Sequence, residues 1–200
     1  MRNQLHIIST GKQSIEEFVG IISVIHPYVD FIHLREKSRS AREIIEIVNC
    51  LKIKGVEKSK IIINDRADIA FLKKCYGVHV GFHSFTASEI KSSFVGMKVG
   101  CSVHSLPEAM KAEKENADYV IYGHIFDTKS KPSMKPRGLN NLVYIVKSTN
   151  IPVIAIGGIK PNDVKAVLDC GADGVAIMSG VLEAPNPLKK VKEYRKQLSS

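Results

Sequence analysis

Residues 152–180 read PVIAIGGIKPNDVKAVLDCGADGVAIMSG. The stretch opens on a short apolar run, PVIAIGG at 152–158, closed by Gly157 and Gly158. A short apolar run between turn signals predicts a buried strand. A helix pattern follows from Asn162 to Cys170, with Gly171 placed as its C-cap. A second apolar run, GVAIMSG at 174–180, begins three residues later. Strand, helix and strand in such short order make a parallel βαβ unit.

The same alternation extends back to the N-terminus. Strand patterns occur as LHIIS at 5–9, FIHLRE at 31–36, KIIIND at 60–65, GVHVG at 77–81, KVGCSV at 98–103 and DYVIYG at 118–123. With the two above they make eight. Helix patterns run from near Ser14 to about Ile25, and from near Ser40 with Ile44, Ile45, Val48 and Leu51 on one face. Others run from Leu106 to Glu115 and from about Pro187 to Leu198. No Pro- or Ser-rich linker divides the chain, so one domain over residues 1–200 is expected. The pattern predicts an α/β fold, a closed parallel (β/α)8 TIM barrel. A doubly wound open sheet is the alternative. It wants a Gly-rich phosphate loop after the first strand, which Ser9-Thr10-Gly11-Lys12 does not supply.

Composition narrows the function classes. The 200 residues are 44% hydrophobic, enough for a sizeable core. The net charge of +9 fits nucleic acid, a membrane surface or phosphorylated small molecules. Much of that charge is local to LKKVKEYRKQL near the C-terminus. No surface pattern of interleaved basic and aromatic residues points to nucleic acid. Cys50, Cys75, Cys101 and Cys170 lack CxxC spacing, so neither a zinc site nor a disulfide framework is expected. With no signal-peptide pattern and no apolar run of membrane-spanning length, the expectation is a cytoplasmic protein without a membrane partner. A homo-oligomer stays open.

In a barrel, chemistry sits at the carboxyl ends of the strands, and the polar clusters of this sequence fall there. In FIHLREK the alternation puts His33, Arg35 and Lys37 on the inner face, aimed at the mouth, where two cations suit an anionic substrate. An Arg35–Asp65 ion pair is the competing reading. Asn64 and Asp65 end IIIND, but the next strand end, Gly81-Phe82-His83-Ser84, offers no second carboxylate. Asp65 therefore reads as a helix cap or ion-pair partner, and no metal is expected. His79 reads as a hydrogen-bonded barrel histidine. The loop after Gly123 carries His124, Thr128, Lys129, Ser130 and Lys131. Gly157, Gly158 and Ser179 stand after the last two strands, where backbone N–H groups of barrels often bind phosphate.

Taken together, HLREK at 33–37, INDRAD at 63–68, GVHVGFHS at 77–84, GCSVH at 100–104, GHIFDTKSK at 123–131, IGGI at 156–159 and GVAIMS at 174–179 resemble the thiamin phosphate synthase superfamily, in order and over nearly the whole chain. The resemblance implies a barrel of that type. It assigns Thr128, Ser130, Gly158, Met178 and Ser179 to a thiazole phosphate, and brings Asn64, Ser102 and Gly157 into the substrate pocket. Other positions depart from the pattern. His33 and Phe82 replace glutamines, and Ser84 replaces the second magnesium-binding aspartate that serves the pyrimidine's pyrophosphate. His124 replaces a proline.

These departures resemble the sister family of TenI-like thiazole tautomerases. That resemblance implies an isomerase of thiamin biosynthesis, converting a carboxylated ylidene-thiazoline phosphate to the aromatic carboxythiazole phosphate without a cofactor. His124 would relay the proton, since imidazole titrates near pH ~6.5. Arg35, Lys37 or Lys131 would hold the carboxylate, with His104 and His33 in reserve. Two alternatives stay open: a divergent thiamin phosphate synthase, and a non-catalytic regulator of the pathway.

Overall fold

The computed structural model describes residues 3–81, 83–128 and 130–199. Phe82 and Lys129, both singled out above, lie outside the described residues. The elements follow in order: β1 Gln4–Ile8, α1 Ile15–Ile25, β2 Phe31–Leu34, α2 Ala41–Ile53, β3 Ile61–Asn64, α3 Ala67–Lys73, β4 Gly77–Val80, α4 Ala87–Ser93, β5 Lys98–Val103, α5 Leu106–Lys114, β6 Tyr119–Gly123, α6 Gly138–Ser148, β7 Val153–Ile156, α7 Val164–Asp169, β8 Gly174–Ile177, α8 Ser179–Leu182 and α9 Pro187–Leu198. All eight strands are parallel and each pairs with its sequence neighbours; β1 and β8 close the barrel with His6 opposite Ala176. The fold is a (β/α)8 TIM barrel, as the alternation predicts.

Helix starts are written locally. Ser14 accepts from the Glu17 N–H at the head of α1. Ser40 with Glu43, and Thr86 with Glu89, form capping boxes at α2 and α4. The strands alternate as a barrel requires. Leu5, Ile7, Ile32, Leu34, Ile61, Ile63, Val78 and Val80 belong to the large core under the helices. Ile8, Phe31, Ile62, Tyr119, Ile121, Ile154 and Ala176 form a second cluster inside the barrel. The inner space is tight: a Cβ at Gly100 would lie 2.0 Å from the Tyr119 ring. Among the described residues no helix is long and apolar enough to cross a membrane.

Candidate active site

The strand ends bring most of the expected residues to one face. Arg35 follows β2, Asn64 ends β3, Ser102 lies near the end of β5, and Thr128, Ser130 and Lys131 occupy the loop after β6. Gly157 and Gly158 follow β7, and Met178 and Ser179 follow β8. Lys37 stands apart, exposed in a turn beyond Glu36, whose carboxylate pairs with Arg39 at 2.9 Å. Thr128 organises its own loop: its Oγ1 accepts from the Ser130 N–H and its carbonyl from the Lys131 N–H.

Among the described residues the mouth is rich in unpaired positive charge. Arg35 is half-buried, its backbone N–H donates to Ser9 Oγ at 2.8 Å, and its guanidinium has no ion pair among the described residues. The competing Arg35–Asp65 pair is absent. Asp65, at φ 58°, instead accepts the Gly81 N–H on Oδ1 at 3.1 Å, so it is neither the cap of α3 nor an ion-pair partner. Lys131 Nζ lies 3.4 Å from His104 Nε2, and His104 Nδ1 lies 3.3 Å from Glu108. Arg137 Nε donates to the Gly123 carbonyl at 3.1 Å. Burial, and then the fields of Arg137 and Arg35, push the Lys131 ammonium below its usual pKa. Burial and the Lys131 charge lower His104 likewise.

Beneath the mouth the barrel holds a polar column. His6 Nε2 lies 2.9 Å from Gln4 Oε1, and His6 Nδ1 lies 2.9 Å from His33 Nε2. One proton lies between His6 Nδ1 and His33 Nε2, and the tautomer of the pair sets which ring donates. His33 Nδ1 and Asn64 Oδ1 are buried without a hydrogen-bond partner among the described residues. Asn64 is near enough to favour the charged form of His33 weakly, but the two side chains do not meet in hydrogen-bond geometry. His79 completes the column: Nε2 lies 2.8 Å from Ser102 Oγ and Nδ1 3.3 Å from the Tyr119 hydroxyl. The reading of His79 as a hydrogen-bonded barrel histidine holds. His33 does not aim at the mouth as expected; it is fully buried two residues below Arg35. Burial lowers all three imidazoles, His6 to about 3 and His79 to about 4.

His124 is also buried, and its Nδ1 has no hydrogen-bond partner among the described residues. The side chain is 3% exposed, and Nε2 lies 3.1 Å from the Met134 carbonyl, to which it can only donate. It pins the loop from within. Gly157 explains the fit: a Cβ there would lie 2.2 Å from His124 Cβ. At Gly158 a Cβ would lie 2.4 Å from the Asp127 carbonyl oxygen and 2.6 Å from that of Phe126. Both glycines have positive φ, 98° and 68°. They let the β6 loop lie on the end of β7, a structural demand that precedes any phosphate contact. The sequence reading missed Gln4, His6, Tyr119 and Arg137. The parity of Gln4, His6 and Ile8 along β1 could have signalled an inward histidine, and a cation just before Gly138 could have flagged Arg137.

A family model described as thiamine monophosphate synthase (TMP-TENI) matches residues 5–181. The chain belongs to that family. A thiamine-phosphate synthase of Methanococcus maripaludis strain C5 is 37% identical over 187 residues, covering 93% of this chain and 90% of the relative. The thiamine-phosphate synthase of Pyrococcus furiosus is 34% identical over 198 residues, 98% of this chain and 96% of its own. The solved thiamine phosphate pyrophosphorylase from Pyrococcus furiosus superposes with a TM-score of 0.85 at 32% identity, covering 98% of this chain and 95% of that one. A 3-hexulose-6-phosphate synthase, at 21% identity and a TM-score of 0.74 over 98% of this chain and 99% of that one, shares the fold alone.

These relatives overturn the tautomerase reading and with it the isomerase class: they are named synthases, which are transferases. Within the thiamine monophosphate synthase family, magnesium is the ion the resemblance attaches to the ends of β3 and β4. The donors here do not fit a two-carboxylate site. Asp65 is one carboxylate, already engaged by Gly81, and Ser84 stands in place of the other. Among the described residues no three His, Cys, Asp or Glu side chains gather as a metal site would require.

Proposed function

We propose that the chain is a thiamine-phosphate synthase, joining a phosphorylated thiazole to a pyrimidine diphosphate with release of pyrophosphate. The observation that carries this reading is the mouth itself, where Arg35, Lys131 and Arg137 stand without carboxylate partners among the described residues, at the strand ends of a barrel whose relatives are synthases. Two phosphorylated substrates need such a surplus of positive charge. Gly158 and Ser179, after β7 and β8, are the assigned contacts of the thiazole phosphate, with Thr128, Ser130 and Met178 around the ring. Arg35 and Lys131 face the diphosphate. Ser102, oriented by His79, offers a hydroxyl at the mouth. In this scheme the protein supplies proximity: it holds the thiazole nitrogen against the carbon that loses pyrophosphate.

A cellular test is direct. Expressed in a bacterium deleted for its own thiamine-phosphate synthase, the chain is expected to restore growth without thiamine. Failure to do so, with soluble protein demonstrated in the same cells, contradicts the reading.

A further inference from the structure

The three cations at the mouth and the missing carboxylate at Ser84 are two sides of one arrangement. Arg35 stands just past β2, its backbone fixed by Ser9. Lys131 reaches from the β6 loop to His104, beyond the end of β5. Arg137 closes that loop: its backbone N–H donates to the His124 carbonyl at 2.9 Å and its Nε to the Gly123 carbonyl at 3.1 Å. Both terminal nitrogens of Arg137 are left without a bonded acceptor among the described residues, and Arg35 is the same. Among the described residues the carboxylate tied to this group is Glu108, which is held by the backbone and ring of His104. Cations clustered without counter-charge repel one another and stay together only where backbone anchors fix them. Here the anchors are the Ser9 hydroxyl, the Gly123 carbonyl and the His104 ring. A polyanion relieves that repulsion, and two guanidinium forks with an ammonium match the oxygens of a diphosphate.

We propose that this chain binds diphosphate through the side chains of Arg35, Lys131 and Arg137 without requiring magnesium, Arg137 supplying charge that a metal held by two carboxylates would otherwise bring. The synthase reading enters only in naming the anion. Arg137 is a binding residue in this account, and its contact with Gly123 sets the direction of its fork.

The test is calorimetric titration of the full chain with inorganic pyrophosphate, in EDTA and in magnesium. Binding is expected in EDTA, with an affinity within a few-fold of that in magnesium. The Arg137→Gln variant is expected to bind roughly tenfold or more weakly in EDTA, the scale of a lost charged hydrogen bond. Because Arg137 also anchors the loop, Arg35→Gln serves as a second variant; its guanidinium holds nothing among the described residues, and the same weakening is expected with an unchanged melting temperature. Pyrophosphate binding that appears only with magnesium, or that neither substitution weakens, overturns the proposal. The synthase reading fails by a different result: pyrophosphate binding as described in a protein that forms no thiamine phosphate.

Discussion

Lowering the pH from 7.5 to 5 is expected to remove about 2 kcal/mol of folding stability for each of His6 and His79, with His33 losing stability in the same direction. All three imidazoles are buried inside the barrel and bonded in neutral form to Gln4, to each other, to Ser102 and to Tyr119. Burial is the main cause of their lowered pKa values, about 3 for His6 and about 4 for His79; the charge of Asp65 works weakly the other way on His79. Their unfolded value is near ~6.5. Between those limits the unfolded chain binds protons that the folded chain refuses, so stability is complete above about pH 7 and falls with acid. The loss continues until the folded values are reached. A domain holds only about 5–15 kcal/mol in all, so unfolding in mild acid is the expected outcome. Urea unfolding at several pH values between 7.5 and 5 measures it. A flat profile would mean that the column is solvated or carries charge. His104 and His26 are partly exposed and contribute less to the slope.

The second large effect is at Gly158. A methyl group there meets the Asp127 and Phe126 carbonyl oxygens at 2.4 and 2.6 Å, on a backbone with φ 68°. Backbone carbonyls cannot swing aside as a flexible side chain can. Overpacking together with a strained φ costs on the order of 2–5 kcal/mol. Gly158→Ala is therefore expected to lower the denaturation midpoint with or without substrate, and to displace the loop that carries Thr128 and Lys131. A variant with native stability that had merely lost affinity for thiazole phosphate would show that this glycine serves the ligand alone.

The barrel was legible because parallel strands buried on both faces are written as short apolar runs, and all eight were found. Not every helix was: α3, α4 and α6 left no readable pattern. α3 and α4 span seven residues each, too few turns to show a period, and α6 follows a proline-rich loop that hides its start. Parity along a strand is written in the sequence, but depth is not. His33 was given its inward face correctly and its height wrongly, since nothing in FIHLREK says where the barrel floor lies. His6 was lost inside LHIIS because one polar residue does not break an apolar run. His124 shows a different limit. A histidine in place of a proline looks like added chemistry, yet its contact is with the Met134 carbonyl, ten residues on, and no local pattern encodes that.

The synthase reading requires this mouth to join two phosphorylated rings. The purified chain, mixed with thiazole phosphate and pyrimidine diphosphate, is to be followed for thiamine phosphate and pyrophosphate together. Both are expected to appear in equal amounts, and omitting either substrate is expected to abolish both. Pyrophosphate released without thiamine phosphate, or no product at enzyme concentrations equal to substrate, would contradict it.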